Sequence, residues 1–352
     1  MNGTTNANLF QGLCDQLQSV RHAPTPTARH ADLRAYLLFD TWADNPMAAL
    51  LAARCPQLAD NRCPVPDTCF AHREDEAPCV VPAPDALLYS TAGTVPIAQG
   101  LFADLLAQAW QHTEQRLARQ PFCAVVWSRA DAASIARHWV DLGHQQPPGT
   151  DDARLFRYQD PRVMQRVWPM LDAAQRRWWL GPVAQWWALA QPWGPWAPAQ
   201  FASGGLLHAD APPGWFHAAS PQADAPGPGI VHGRRARALF DHAQWQAAHV
   251  SPAGNRVWAR FAQRGVAARD QPDGDTLLRL LADGRRHGLD GADLEDYAWC
   301  TWRPKPLADG TREVNWQSPR AARVLAELLQ TLRQDASASF AGLFADALNF
   351  RS

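Results

Sequence analysis

Between Tyr36 and about Trp187 short apolar runs alternate with stretches of helical periodicity, which is how successive strand–helix units read. Three runs, Tyr36-Leu37-Leu38-Phe39, Ala86-Leu87-Leu88-Tyr89 and Cys123-Ala124-Val125-Val126-Trp127, are apolar throughout, as strands covered on both faces are. They predict a mostly parallel sheet flanked by helices. A fourth run, Leu155-Phe156-Arg157-Tyr158, alternates, so one of its sides is expected to be wetter.

Helical signals fill the gaps. Ile97, Leu101, Leu105 and Gln108 fall on one helical line with Phe102, Leu106 and Ala109 beside it, predicting a long helix that ends near Arg119. Asp131 can cap a helix carrying Ile135, Trp139 and Leu142, with Gly143 as its left-handed terminus, and Pro147-Pro148-Gly149 makes a turn. Asp160 can cap the next helix while Pro161 takes its first position, where a missing N–H costs nothing; Met164, Val167, Trp168 and Leu171 form its apolar face. Asp172 and Gln175 read as a capping box, and Gly181-Pro182 stops the helix that follows.

The pattern then changes. Residues 191–230 are rich in Pro and Gly, hold only two charges, Asp210 and Asp224, and carry Trp193, Trp196, Phe201, Trp215 and Phe216, so parts of this stretch are expected to lie against a folded surface or a partner. Beyond Gly233 the periodicity is helical: Leu277 to Leu281 with a stop at His287-Gly288, then Leu294 and Tyr297, a helix from Ser318-Pro319, and a last one over Phe340 to Leu348. The expected organisation is a flexible segment 1–32, an α/β domain 33–190 with a mostly parallel short sheet, a connector 191–233, and a mainly α-helical C-terminal lobe 234–352.

Composition narrows the function classes. Hydrophobic residues make up 47% and charged residues 19%, enough for a packed core, and 33 basic against 34 acidic residues leave no field favouring phosphate backbones. No nucleic-acid partner is expected. Lys305 is the sole lysine, so a phosphate-cradling loop with its lysine cannot be written. Residues 1–30 lack a basic start and an apolar stretch, and no run is long enough for a spanning helix, so a cytoplasmic protein with reduced cysteines and no membrane insertion is expected.

Three sets of residues could carry chemistry. Cys55, Cys63, Cys69 and Cys79 lie close in sequence with His72, yet their intervals match no paired zinc spacing, so reduced loop thiols are expected, with no metal and no cofactor. His208, Asp210 and His217 could form a metal-dependent or other hydrolytic site, but they sit in the Pro/Gly-rich stretch without a rigid support. Asp160-Pro161-Arg162 reads first as a cap and its neighbours, with Arg162 free to pair with a nearby carboxylate, and Arg157 as a partner-facing or buried-pair residue. On that reading Asp160→Asn is nearly silent. Of 17 tryptophans, several are consecutive or close: Trp178-Trp179, Trp186-Trp187, Trp193 and Trp196. One face cannot bury both members of an adjacent pair, so some are expected at a docking surface or at a junction between lobes.

The run Arg154-Leu155-Phe156-Arg157-Tyr158-Gln159-Asp160-Pro161-Arg162-Val163-Met164, continued by Trp168-Pro169-Met170-Leu171-Asp172, Gln175 and Gly181-Pro182, resembles the signature of the domain of unknown function 4123 family. Tyr36-Leu37-Leu38-Phe39-Asp40 is similar to its opening strand, and Arg285-Arg286-His287-Gly288-Leu289 with Asp293-Leu294 to the helical tail of many members. The resemblance covers about Leu33 to Trp187. It implies a non-enzymatic adaptor of bacterial type VI secretion, which binds a toxic effector and helps to load it onto the valine–glycine repeat (VgrG) spike protein. Arg157, Arg162, Trp186, Trp187, Trp193 and Trp196 are the residues expected to meet a partner.

Overall fold

The computed structural model describes residues 10, 13–15, 17, 32–88, 97–114, 120–190, 214–220, 238–267, 270–302, 310 and 312–349. Two compact units divide the chain, one formed by residues 1–192 and 197–245, the other by 193–196 and 246–352.

In the first unit the apolar runs become strands β1 (Arg34–Phe39), β2 (Cys63–Pro64), β3 (Cys79–Ala83), β4 (Phe122–Ser128), β5 (His144–Gln145), β6 (Arg154–Leu155), β7 (Val183–Leu189) and β8 (Trp215–Ala219). Six of them form one sheet in the order β2-β3-β1-β4-β7-β8, and every pair is antiparallel. The expected parallel sheet is therefore corrected. Burial on both faces does mark β1 and β4, but an antiparallel sheet covered twice leaves the same apolar runs. Two of the expected strands also change: residues 85–88 are a short helix, and only Arg154–Leu155 of the alternating run pairs, with β5. Strands β3, β7 and β8 were not anticipated, and β8 lies inside the stretch read as a connector.

Helices cover both faces. They are α1 (Pro46–Arg54), α2 (Pro56–Asp60), α3 (Asp85–Leu88), α4 (Ile97–Glu114), α5 (Ala132–Gly143), α6 (Pro161–Val167) and α7 (Ala173–Leu180). On one face Leu37, Val81, Val125 and Trp187 share a core with Leu51 of α1 and Leu101, Leu105 and Leu106 of α4. Phe10, Leu13, Cys14 and Leu17 are buried in the same core, and the Trp215 indole N–H donates to the Leu13 carbonyl at 3.2 Å. The segment expected to be flexible thus supplies core residues at helical spacing. On the other face Trp139 of α5 meets Trp186 edge-on, with ring centroids 5.8 Å apart.

The local stop and start signals fall where the residues placed them. Asp131 accepts the Ser134 N–H at 2.7 Å, Asp160 accepts the Arg162 N–H at 3.0 Å with Pro161 behind it, and Asp172 and Gln175 exchange both bonds of a capping box. Gly181 ends α7 at φ 54°, and a Cβ there would lie 2.3 Å from Nε2 of His138. Gly143 departs from expectation: its φ is not positive, because the chain runs straight into β5 and the Gly143 carbonyl accepts the Phe156 N–H at 2.7 Å.

Helix α8 (His242–His249) leads toward the second unit, whose described residues are mainly helical: α9 (Ser251–Gln263), α10 (Gly274–Arg286), α11 (Gly291–Thr301), α12 (Pro319–Gln334) and α13 (Phe340–Asn349). Val257, Phe261, Leu281, Tyr297, Trp316 and Phe340 are among its core residues. Gly284 lets α10 and α11 touch, since a Cβ there would sit 2.8 Å from Leu294 Cδ1.

Candidate functional site

The Asp-Pro-Arg run lies over the end of β1. Asp40, the residue after that strand, is buried, and its Oδ1 accepts hydrogen bonds from Arg157 Nη2 at 3.0 Å and Gln159 Nε2 at 2.8 Å. Five residues on, the Asn45 side chain caps α1 and donates to the carbonyls of Thr41 and Pro121, fixing the turn that presents Asp40. A single strand end therefore anchors residues more than a hundred positions away.

Asp160 does more than cap. Its carboxylate accepts from Arg162 twice, Nε to Oδ1 at 2.9 Å and Nη2 to Oδ2 at 2.6 Å, while Arg157 Nε stands 3.7 Å from Oδ2. Burial pushes the Asp160 carboxyl upward, but Arg162 and then Arg157 outweigh it and hold the group at about 2. Arg166, one turn further along α6, is buried as well; desolvation and then Arg162 lower its pKa to about 9, although a guanidinium stays charged. Gln165 on the same helix donates to the Leu189 carbonyl at 3.2 Å, tying α6 to the end of β7.

These groups brace the fold. Arg157 takes the buried-pair role, with its side chain 40% exposed at the rim, and the nearby carboxylate that Arg162 pairs with is Asp160. Cys123 lies in the electrostatic field of Asp40 and Asp160, and burial raises its thiol well above the ordinary range, so it offers no nucleophile at neutral pH.

The tryptophan pairs resolve differently from the one-face argument. Trp186 and Trp187 are 0% and 5% exposed, because a strand sends alternate side chains to opposite faces and both faces of this sheet are covered. Neither reaches a docking surface. Trp179 is buried and Trp178 half-buried, its ring tilted against that of His138 with centroids 5.1 Å apart. Trp193 and Trp196 lie outside the described residues, as do His208 and Asp210 of the hydrolytic reading. His217 sits on β8 with its ring stacked on Trp187 at 4.1 Å; its Nε2 is buried without a hydrogen-bond partner, and burial lowers its pKa to about 4.

Nor does the fold gather the cysteines as a set with His72, which is exposed. It gathers Asp67, Cys69 and His144 instead, with one ligand atom of each within 4.8 Å of the others. Spacing could not reveal this trio, since His144 arrives from the end of α5.

In the second unit α10, Thr301, Trp302, Gly310 and residues 312–317 line a cavity of about 720 Å³. Its arginines are paired within the fold: Arg279 with Glu313, Arg286 with Asp283 at 2.6 Å, and Arg312 with Asp270 at 2.9 Å.

An antiparallel α/β domain whose Asp-Pro-Arg run is held by a buried acid–arginine network is thus the class that the first unit defines. Residues 35–178 match the family described as domain of unknown function (DUF4123). No curated protein and no solved structure matches the chain. Among the described residues no helix is long and apolar enough to cross a membrane.

Proposed function

We propose that the protein is a type VI secretion adaptor, working in the bacterial cytoplasm, that binds a cognate toxic effector and helps to load it onto the VgrG spike without catalysing a reaction. The observation that carries this reading is the DUF4123 match at residues 35–178, with its characteristic run placed in a folded, fully braced setting. Asp40, Asp160 and Arg162 are occupied in holding that domain together, which suits a binding scaffold. Leu155 and Met170, 57% and 40% exposed, flank the braced run and are its apolar contributions to the surface.

The test is secretion. Deleting the chain from its host should remove one toxic effector from the secreted proteins while the tube protein is still released, and the purified chain and that effector should co-elute as a complex. An unchanged set of secreted proteins, with no complex between the purified partners, overturns the reading.

A further inference from the structure

The trio Asp67, Cys69 and His144 is built from parts that the adaptor reading leaves unused. Asp67 is buried, and it divides its two oxygens between separate tasks. Oδ1 accepts the Cys69 backbone N–H at 2.8 Å and so caps the short helical turn at Thr68–Phe70, while Oδ2 faces His144 Nε2 at 2.7 Å. The carboxylate is thereby oriented before any ligand arrives, as second-shell bonds orient metal ligands. His144 is held by its backbone, paired in register with Leu155 between β5 and β6. Cys69 is exposed and gives the trio access to solvent.

We propose that Asp67, Cys69 and His144 form a binding site for a single zinc-class divalent cation. A thiolate, an imidazole and a carboxylate are the donors that zinc prefers, and three protein ligands leave a fourth tetrahedral position for water. The ligand atoms already lie within 4.8 Å of one another, so binding needs side-chain adjustment and no rearrangement of the backbone. Binding releases the Cys69 thiol proton to solvent, moves the proton that His144 Nε2 shares with Asp67 to Nδ1 or to solvent, and replaces the His144–Asp67 hydrogen bond by two metal–ligand bonds. The cation would staple the excursion between β2 and β3 to the corner where α5 enters β5, beside the exposed Leu155.

The experiment uses the full chain, stripped with chelator and titrated with zinc by calorimetry, and separately with cobalt(II) followed by absorbance. One equivalent of zinc should bind, the unfolding midpoint should rise with zinc concentration, and cobalt should show a thiolate charge-transfer band. Cys69→Ser and His144→Ala should each weaken binding at least about tenfold, a loss seen even when a second-shell partner is removed. Cys55→Ser should leave binding unchanged. Because Cys69 is exposed, its serine variant keeps the fold and the test stays clean. Absence of saturable binding, a cobalt complex without the thiolate band, or affinity that survives both ligand variants overturns the assignment.

Discussion

Replacing Asp160 by Asn keeps a helix cap and removes a charge, so it separates two roles that the sequence could not tell apart. As a cap alone the residue would tolerate the change, because Asn and Asp cap about equally well. The structure adds a buried carboxylate gripped by Arg162 through two bonds, with Arg157 close by. Its pKa falls from 3.8 to about 2, and at about 1.4 kcal/mol per unit the ionised form contributes about 2 kcal/mol at neutral pH. Removing one partner of a buried pair typically costs about 3–5 kcal/mol, and Asn retains part of that through its remaining acceptor.

Asp160→Asn should therefore lose about 2–3 kcal/mol at pH 7, and Asp160→Ala about 1 kcal/mol more as the cap goes too. The pH dependence has a definite sign. A depressed carboxyl stabilises the fold above its unfolded pKa and loses that contribution as pH falls toward its folded one, so the gap between parent and Asp160→Asn should be full above about pH 4 and close toward about pH 2. Urea unfolding followed by tryptophan fluorescence, repeated at several pH values, measures both. An Asn variant within about 0.5 kcal/mol of the parent, or a gap that does not narrow in acid, would refute the buried-pair account.

Two further outcomes follow from single positions. Gly181→Ala should cost about 2 kcal/mol or more in urea unfolding, since φ 54° disfavours a side chain and the new Cβ would meet the half-buried His138 ring at 2.3 Å; a neutral variant would show that α7 can end another way. His217 stays neutral in the fold down to about pH 4 while the unfolded chain protonates near 6.5, so it should remove up to about 3 kcal/mol as pH drops across that window. His217→Phe, which keeps the stack on Trp187, should flatten that slope, and an unchanged pH profile would count against it.

What the sequence revealed was local. Asp131, Asp160 with Pro161, Asp172 with Gln175, and Ser318 with Pro319 start helices because a cap needs only its neighbours, and Gly181 and Gly288 end them for the same reason. Strand direction was not legible, because an apolar run records that both faces are covered and says nothing of the neighbour's polarity. Strand β7 was misread for a related reason: Trp186-Trp187 violates one-face burial only if the element has a single buried face. The helical spacing of Phe10, Leu13, Cys14 and Leu17 is present in the sequence but diluted by polar neighbours. Asp40 with Arg157, and Asp67 with His144, join residues 117 and 77 positions apart, and no spacing rule reaches that far.

The braced run also constrains how a partner could be recognised. Asp160 and Arg162 are 4% and 8% exposed, so a substitution there reaches a partner only by disturbing the fold, and lost binding would track lost stability. Leu155 and Met170 stand in the opposite position, exposed and beside the same run, so changes there should separate the two effects. Leu155→Ser and Met170→Ser should each stay within about 0.5 kcal/mol of the parent in urea unfolding, as surface changes do. If the effector docks on this side of the domain, at least one of them should weaken effector binding by more than about 1 kcal/mol, the mark of a contact that matters, when measured by calorimetry with the purified partner. Parent-like affinity in both variants, with both still folded, would place the docking surface away from the Asp-Pro-Arg run and leave that run to fold maintenance alone.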